Sequence, residues 1–395
     1  MQLSRLSWKQ SFFFSLFFAI ALVLVAAPAW TQQAPASDAE PGSAPVPSQA
    51  PAAPASGQQD PYPNKPSLAP GIDPKTRTPL YEEIQEDWSS LQIGASKLRP
   101  EPPLVGQVDE QETYTRTLVQ VKWRPGDAID LWIVMPKGVK NPPAVLYLYN
   151  ASEDTERFRS DVWCRHVTRG GVAAVGFVSA LTASRFHDRP LKQWFVSELQ
   201  ESLGSTVHDV KFILDYLAQR GDIDMSRIGM LGIGSGGTIA ILAAAADARI
   251  KAVDALDPWG DWPHFLAESP VVLADPDHAE YVKPEFLKKV APLDPVKWLP
   301  ELKTPIRIQL VRENDATPME CKESIRTAAP KQAEILRFEA LSDLGHREGQ
   351  GRLFQWIKDR LESSDKPGQT TAPGGPVATG TIAAPQVVSS QSLQK

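Results

Sequence analysis

The amino-acid sequence predicts an α/β fold with a doubly wound, mostly parallel sheet. Continuous apolar runs at 144–149 and 171–178 are typical of strands that are buried on both faces. Longer segments between such runs carry apolar residues at every third or fourth position, which is the spacing of an amphipathic helix. Strands that alternate with helices build a parallel sheet that helices cover on both faces. Such a sheet binds its ligands at the carboxyl ends of the strands.

The predicted elements follow one another along a single domain at 77–363. Two strands of alternating polarity precede the two buried runs, and a long helix separates those runs from a glycine-rich turn. In chain order the sequence predicts strands at 113–121, 128–135, 144–149 and 171–178, a helix at 195–217, a strand at 227–231, a helix at 238–246, strands at 250–256 and 305–311, and a helix at 354–361.

Residues 262–298 interrupt this alternation of strands and helices. The segment contains aromatic residues and several prolines, and it follows the strand that ends near Asp257. Two interpretations remain open. The segment is either a lid inserted over the carboxyl edge of the sheet or an ordinary helical excursion.

The composition narrows the class of protein. The chain has 395 residues, 42% of them hydrophobic, and a formal net charge of −6. This acidic balance argues against a nucleic-acid-binding protein, since such proteins usually carry a basic excess. Only two cysteines are present, which excludes a disulfide scaffold and a Cys₄ zinc site. No cofactor is expected.

The first 29 residues have the pattern of an export signal. Arg5 and Lys9 are followed by an apolar run at 11–27, and Ala27-Pro28-Ala29 fits a cleavage site that leaves Trp30 as the mature start. The alternative is an uncleaved membrane anchor, although a span needs about 20 residues. We therefore expect an exported protein, periplasmic or secreted, that contacts a membrane only through this segment if it is retained.

Two other segments are predicted to be disordered. Residues 30–76 are rich in Pro and Ala, and the tail at 364–395 is rich in Gly, Thr, Ser, Ala and Gln without an apolar period. Segments of this composition bury too little apolar surface to offset the entropy of ordering the chain. Neither segment is expected to carry chemistry.

The turn at 232–237, Gly-Ile-Gly-Ser-Gly-Gly, joins a predicted strand to a predicted helix. In one interpretation Gly232, Gly234 and Gly237 form a dinucleotide-binding G-x-G-x-x-G, with Asp257 placed to meet a ribose hydroxyl. That motif usually lies near the N-terminus of its domain, whereas this turn follows more than a hundred residues that are already predicted to form strands and helices. In the other interpretation the turn is a nucleophile elbow, in which a strained strand-to-helix turn presents a serine at the top of the sheet.

The sequence at about 113–361 resembles the α/β-hydrolase superfamily, in its dienelactone-hydrolase and prolyl-oligopeptidase-like branches. The similar segments are Pro-Pro-Ala-Val-Leu-Tyr-Leu at 142–148, Ile-Asp-Met-Ser-Arg-Ile-Gly at 223–229, Leu-Lys-Thr-Pro-Ile at 302–306, Glu-Asn-Asp at 313–315 and Gly-His at 345–346. The resemblance implies the α/β-hydrolase fold, with Asp315 orienting His346, and a hydrolase of ester or amide bonds if the protein is active.

The chain departs from the family at the nucleophile. In the family's register the nucleophile position falls on Gly234, which has no side chain. Ser235 follows it, at a position that in the family mainly supplies a backbone N–H to the oxyanion hole. If Ser235 were the nucleophile, Ile233 would take a position where the tight turn needs a very small residue. We therefore favour Ser235 as a helix cap or turn residue over Ser235 as the nucleophile.

The segment that supports the oxyanion hole also differs. The family often has His-Gly-Gly after the strand that ends at Leu148, and this chain has Tyr149-Asn150-Ala151 instead. Since glycines let backbone amides converge on an oxyanion, we expect a weakened oxyanion hole. Without a nucleophile, Asp315 and His346 would form either a structural hydrogen bond, which we favour, or a general base that acts on water.

These observations predict an exported, catalytically impaired α/β-hydrolase-fold protein, a binding or scaffolding relative of esterases and peptidases. One alternative is an active serine ester or amide hydrolase that uses Ser235, His346 and Asp315. The other is the dinucleotide-binding protein. The expected ligand is a small ester or a peptide, no nucleic acid is expected, and a protein partner is unknown. Asp257, Asp261 and His264 lie close in sequence, but we favour turn caps over a metal site there.

Overall fold

A nine-stranded sheet organises the domain. The computed structural model describes residues 86–93, 98–124, 127–151, 153, 155–182, 185, 199–344 and 352–363. The strands of the sheet are β1 (Leu104–Glu110), β2 (Tyr114–Arg124), β3 (Asp127–Pro136), β4 (Ala144–Leu148), β5 (Ala173–Gly176), β6 (Ile228–Ile233), β7 (Ile250–Leu256), β8 (Ile306–Val311) and β9 (Glu334–Phe338).

The sheet is mostly parallel, as the sequence predicts. The strand order is β1-β2-β3-β5-β4-β6-β7-β8-β9. β1, β2 and β3 pair antiparallel with one another, and β3 pairs antiparallel with β5. The strands from β5 to β9 are parallel to one another. The carboxyl ends of β4, β6, β7 and β8 therefore meet at one edge of the sheet.

Helices cover both faces of the sheet and confirm the predicted α/β class. They are α1 (Asp161–Thr168), α2 (Leu199–Arg220), α3 (Ser235–Ala246), α4 (Trp262–Glu268), α5 (Pro270–Leu273), α6 (His278–Tyr281), α7 (Pro284–Val290), α8 (Pro295–Trp298), α9 (Met319–Ala328) and α10 (Arg352–Ser363), with 3₁₀ turns at Glu156–Arg159, Ala291–Leu293 and Leu299–Glu301.

The apolar strands create two cores, one on each face. Every residue of β4 is buried, as expected for a strand between two helical layers. Alternate residues of β4 point to opposite faces, so that Leu146 lies in the larger core with α2 and α3. Val145 and Tyr147 lie in the smaller core with α1 and α10.

Two edge strands were not predicted from the sequence. In β1 the apolar residues Leu104, Val105 and Val108 are 66%, 64% and 51% exposed, so the strand lacks the alternation that marks a half-buried strand. In β9 the side chains are only partly buried, and the segment is polar at its start. Both strands form because a neighbouring strand, β2 or β8, supplies a hydrogen-bonding edge. Such pairing does not depend on a pattern within the segment itself.

The segment 262–298 forms the short helices α4 to α8. Trp262, Phe265 and Leu293 are almost fully buried and belong to the larger core. The helices of the segment contact α2, α3 and α9, which lie beside them. The segment therefore packs as a helical layer over one face of the sheet, and a lid function stays a prediction.

Several predicted regions fall outside the described residues. These are the export signal at 1–29, the linker at 30–76 and the tail at 364–395. In the part of the chain that is described, no helix combines the length and the apolar character that crossing a membrane requires.

Candidate functional site

The glycine-rich turn lies at the carboxyl edge of the sheet, between β6 and α3. Gly234 is the residue between them and has φ 56° and ψ −121°. Backbone with a positive φ of this kind strains any residue that has a Cβ, so a glycine is favoured here. The Gly234 N–H donates to Leu256 O at the end of β7 (2.8 Å), which fixes the tip of the turn over the sheet.

The neighbouring glycines allow backbone segments to touch. A Cβ on Gly232 would lie 2.1 Å from Gly236 O, and a Cβ on Gly236 would lie 2.1 Å from Leu148 O. These distances are too short for any side chain. Gly232 and Gly236 therefore let the turn close tightly and let α3 pack against the end of β4.

The side chain of Asn150 lies against the tip of the turn. Its Oδ1 accepts hydrogen bonds from Ala151 N (2.9 Å) and, at longer range, from Ser235 N (3.4 Å) and Ser235 Oγ (3.2 Å). A Cβ built on Gly234 would lie 2.7 Å from the same oxygen. The Asn150 amide thus fills the space into which a side chain at position 234 would project.

Ser235 is enclosed by these contacts. The residue has no exposed surface, and its Oγ also accepts a hydrogen bond from Ala151 N (2.8 Å). Gly234 is the N-cap of α3, and Ser235 is the first residue inside the helix. The Ser235 hydroxyl therefore links the start of α3 to the loop after β4.

The two other predicted catalytic residues have different outcomes. Asp315 lies in the loop after β8 and is exposed. His346 lies outside the described residues, so its hydrogen bond to Asp315 stays a prediction. Asp315 lines an open cleft of about 300 Å³ with Glu268, Arg312, Met319 and Glu320 among its other walls.

A buried carboxylate stands at the end of the neighbouring strand, β7. The Asp257 carboxylate accepts hydrogen bonds from Val311 N (3.1 Å) and from the Asn314 side-chain amide. Burial raises the pKa of Asp257 to about 6, although the Lys322 ammonium and these hydrogen bonds oppose the change. Asp257 has φ 45°, a conformation that Asp tolerates better than most residues.

Lys322 completes this buried cluster from α9. Its Nζ donates to Val311 O (2.6 Å) at the end of β8 and to Asn314 O (2.7 Å) in the loop after it. Burial lowers the pKa of Lys322, while Asp257 and Asp315 oppose that change. Asp257 and Lys322 together fix the loop that carries Asp315. No pattern in the sequence pointed to the role of Lys322, because α9 was not predicted.

Asp261 and His264 do not join Asp257 in one site. The Asp261 carboxylate accepts a hydrogen bond from Ser324 Oγ (2.5 Å) and lies 2.8 Å from His264 Nδ1 at the surface. Asp257 instead bonds to the residues that follow β8. No group of His, Cys, Asp and Glu side chains among the residues described has an arrangement that could hold a metal ion.

Comparison with solved structures shows which fold this is. An acetyl xylan esterase from Paenibacillus sp. R4 is similar with a TM-score of 0.54 and 17% identity, over 67% of this chain and 89% of that chain. Acetyl xylan esterase 1 from Thermoanaerobacterium sp. JW/SL YS485 is similar with a TM-score of 0.52 and 13% identity, over 66% and 88%. The chain has the α/β-hydrolase fold.

Similarity at this level of identity shows the fold alone. No protein-family model and no curated protein sequence matches the chain. What the site does must therefore be argued from its own residues.

Proposed function

We propose that this protein is an exported α/β-hydrolase-fold protein that has lost serine-hydrolase catalysis and acts as a binding or scaffolding relative of esterases and peptidases. One observation carries the proposal. The Asn150 amide oxygen lies at the point where a nucleophile and an oxyanion would meet, and it accepts hydrogen bonds from the groups that would bind the oxyanion.

The position of the nucleophile supports the proposal. A nucleophile elbow holds its catalytic side chain at the tip of a strained strand-to-helix turn. The φ of 56° supports Gly234 as that tip, and glycine offers no atom that can attack a carbonyl. A glycine there removes both the nucleophile and the strain of about 1–3 kcal/mol that a side chain at such a position costs.

The donors of the oxyanion hole support the proposal as well. In this fold the donors are the N–H of the residue after the nucleophile and an N–H from the loop after the strand next to the elbow. The corresponding donors here are Ser235 N and Ala151 N, and both bond to Asn150 Oδ1. The two amides converge on this oxygen without the family's glycines, and a side chain of the same chain holds them, which supports the expected weakening of the hole. A substrate oxyanion would have to displace Asn150.

The geometry also weighs against both alternatives. An active Ser235 would need access to substrate, yet its hydroxyl is buried and bonded to Asn150 and Ala151. A dinucleotide would need the amides at the start of α3, and Ser235 N already has an acceptor. The close approach of Gly236 O to Gly232 explains why a glycine is needed at position 232, and no bound pyrophosphate is needed to explain it.

Export and ligand class belong to the same proposal. The apolar run after Arg5 and Lys9, followed by Ala27-Pro28-Ala29, supports cleavage and release to the periplasm or the medium. The ligand we propose is a small ester or a peptide, because the fold presents its open cleft near Asp315 at the edge where such sheets bind ligands.

Hydrolysis of small activated esters tests the proposal. We expect no turnover above background for the wild-type chain, and none for Gly234→Ser, because Asn150 still fills the site. The double variant Gly234→Ser/Asn150→Gly should gain measurable hydrolysis, since it supplies a hydroxyl and frees the amides. The matched control is Gly221→Ser/Asn150→Gly, which places a serine at a glycine with a positive φ and open space around it.

Two results would contradict the proposal. The first is wild-type turnover at ordinary enzyme rates of about 1–10³ s⁻¹ that Ser235→Ala abolishes. This would establish the active-hydrolase alternative. The second is equal hydrolysis by both double variants, which would show that the hydroxyl at position 234 has no part in the gain.

A further inference from the structure

A cleft of about 340 Å³ opens where α1 ends, and we call it the basic cleft. Its walls come from the turn before β2, the end of β3 and the turn between α1 and β5. Its lining includes Thr113, Lys137, Val139, Arg165, Thr168 and Arg169. Because β3 runs antiparallel to β5, with Val134 beside Ala174, the end of β3 meets the start of β5. The basic cleft therefore lies at the amino edge of the parallel strands, and the glycine-rich turn lies at the other edge.

The charged residues that line the basic cleft are all cations. They are Lys137, Arg165 and Arg169, and no Asp or Glu among the described residues lines it. The whole chain has 47 acidic and 41 basic residues, so a wall with three cations and no carboxylate departs from its general balance. A cleft lined by one sign of charge concentrates ions of the opposite sign.

The two arginines lie on the same side of α1 and repel each other. Arg165 and Arg169 are exposed and four residues apart, a spacing at which like charges destabilise a helix. In the part of the chain that is described, neither guanidinium forms an ion pair with a carboxylate. Lys137 differs from them, since its Nζ lies 2.7 Å from Glu110 Oε2. The two arginines are thus the charges of the cleft that an anion would neutralise.

The end of α1 does not need these guanidinium groups. A helix C-terminus favours positive charge because its last carbonyls lack donors within the helix. Lys358 of α10 already supplies both, since its Nζ donates to Arg169 O (2.6 Å) and, at longer range, to His166 O (3.5 Å). The Thr168 hydroxyl donates to Cys164 O (2.7 Å). Capping of α1 therefore does not explain the two exposed arginines.

The pKa of Lys358 reflects the crowding of cations at this place. Burial lowers the pKa of Lys358 to about 8, the charge of Arg169 acts in the same direction, and Glu362 opposes the change. The partial negative charge of a helix C-terminus favours the charged form of a nearby lysine. Arg169 works against this effect, and an anion bound beside its guanidinium would reduce the repulsion.

We propose that the basic cleft binds a phosphate monoester group, which Arg165 and Arg169 hold from α1 while Lys137 adds positive charge from the end of β3. A guanidinium presents N–H donors in a fork that matches two phosphate oxygens. A phosphate monoester carries a charge of about −1.5 to −2 at neutral pH, so two arginines neutralise it. A carboxylate carries a single charge and would leave one arginine uncompensated. Thr113 adds a hydroxyl to the same wall.

Calorimetric titration of the full-length chain with glycerol 3-phosphate at low salt tests the site. We expect saturable binding of one ligand per chain, at least tenfold weaker in Arg165→Gln/Arg169→Gln. The matched control is Lys288→Gln/Lys289→Gln, which removes two exposed cations from α7 and changes the net charge equally, and it should bind as the wild type does. Absent binding by the wild-type chain, or equal weakening in both double variants, would overturn the proposal.

Thermal melts show whether the arginine variant is folded. Without ligand, Arg165→Gln/Arg169→Gln should unfold at the same temperature as the wild type or higher, because the repulsion between the two side chains is gone. Glycerol 3-phosphate should raise the midpoint of the wild-type chain, since a ligand that binds only the folded state stabilises it. An equal rise in the folded arginine variant would contradict the site.

Vesicles distinguish a soluble phosphate ester from a lipid headgroup. The probe is sedimentation with phosphatidylcholine vesicles that do or do not contain phosphatidic acid, whose headgroup is a phosphate monoester. Binding only to the vesicles with phosphatidic acid, lost in Arg165→Gln/Arg169→Gln, would identify a lipid ligand. Binding of glycerol 3-phosphate without binding to either kind of vesicle would identify a soluble one. If the arginine variant keeps the binding of both probes, the proposal is wrong.

Discussion

The position of the Asn150 amide oxygen depends on the absence of a side chain at Gly234. The oxygen lies where a Cβ on residue 234 would come within 2.7 Å of it. A protein that kept a serine at the tip could not keep the Asn150 amide in this place. The glycine at position 234 and the amide at position 150 therefore fit together, and in the function we propose Asn150 replaces an oxyanion with internal hydrogen bonds.

Replacing Gly234 by serine should lower stability for two separate reasons. The positive φ alone costs about 1–3 kcal/mol for a non-glycine residue, and the contact with Asn150 adds to that cost. The control Gly221→Ser has φ 72° and nothing within 4 Å of the new Cβ, so it reports the backbone cost alone. In thermal melts Gly234→Ser should lower the midpoint of unfolding by more than Gly221→Ser does. An equal or smaller loss would show that Asn150 does not fill this space.

Changes at Asn150 itself should separate hydrogen bonding from size. Asn150→Leu removes the acceptor for Ser235 N and Ser235 Oγ, while Ala151 N keeps its hydrogen bond to Ser235 Oγ. The variant should cost about 1–3 kcal/mol, the usual penalty for buried groups left without a partner. Asn150→Asp keeps an acceptor at the same place and puts negative charge at the start of α3, which favours it. In chemical denaturation, the loss of unfolding free energy for Asn150→Asp should be less than half of that for Asn150→Leu. Equal losses would mean that the hydrogen bonds contribute little.

At the scale of elements, Asp257 and Lys322 tie β7, α9 and the loop after β8 together. Because burial raises the pKa of Asp257 on folding from 3.8 to about 6, the folded protein binds this proton more tightly than the unfolded chain does. The free energy of unfolding should therefore decrease as the pH rises from about 4 to about 6, and this group should add no further change above that range.

The variant Asp257→Asn checks this pH dependence. It cannot titrate, so the difference in unfolding free energy between wild type and variant should change by up to about 3 kcal/mol between pH 4 and pH 6, at 1.36 kcal/mol per pKa unit. Urea denaturation at several pH values measures the difference. A difference that stays constant over this range would mean that Asp257 does not titrate there.

The elements that could be predicted from the sequence are those marked by a pattern within their own residues. β4 is a continuous apolar run, β6, β7 and β8 are short segments of mostly apolar residues, and the glycine turn is marked by its own residues. The elements that it missed depend on distant partners. β1 is exposed and forms only because β2 offers an edge, while the place of Asn150 depends on a turn 85 residues away. Hydrogen bonds over such separations leave no periodic signal in the chain.

At the scale of the whole molecule, the predicted domain lies between two segments, 30–76 and 364–395, for which only the amino-acid composition gives information. The alternation of strands and helices predicted the parallel sheet and its two helical faces, and similarity to the acetyl xylan esterases shows the same fold. The hydrogen bonds of Asn150 at the glycine turn could not be predicted, because the missing glycines indicated only a weakened oxyanion hole.

Export is tested by the mature N-terminus. When the full chain is expressed in a bacterium with an export pathway, we expect the purified protein to begin at Trp30, after Ala27-Pro28-Ala29. N-terminal sequencing and intact mass measure this. As a control, Ala29→Arg should block cleavage, since the site requires small residues. A wild-type chain that keeps residues 1–29 and stays in the membrane fraction would support the anchor instead.

Labelling with a fluorophosphonate, followed by peptide mapping, tests the loss of catalysis most directly. The probe reacts only where a serine is activated by a base and faces an oxyanion hole, which are the features that our proposal denies to Ser235. We predict that the wild-type chain stays unlabelled and that Ser235 in particular does not react. Stoichiometric labelling of Ser235 that His346→Ala abolishes would contradict the account and establish an active serine hydrolase.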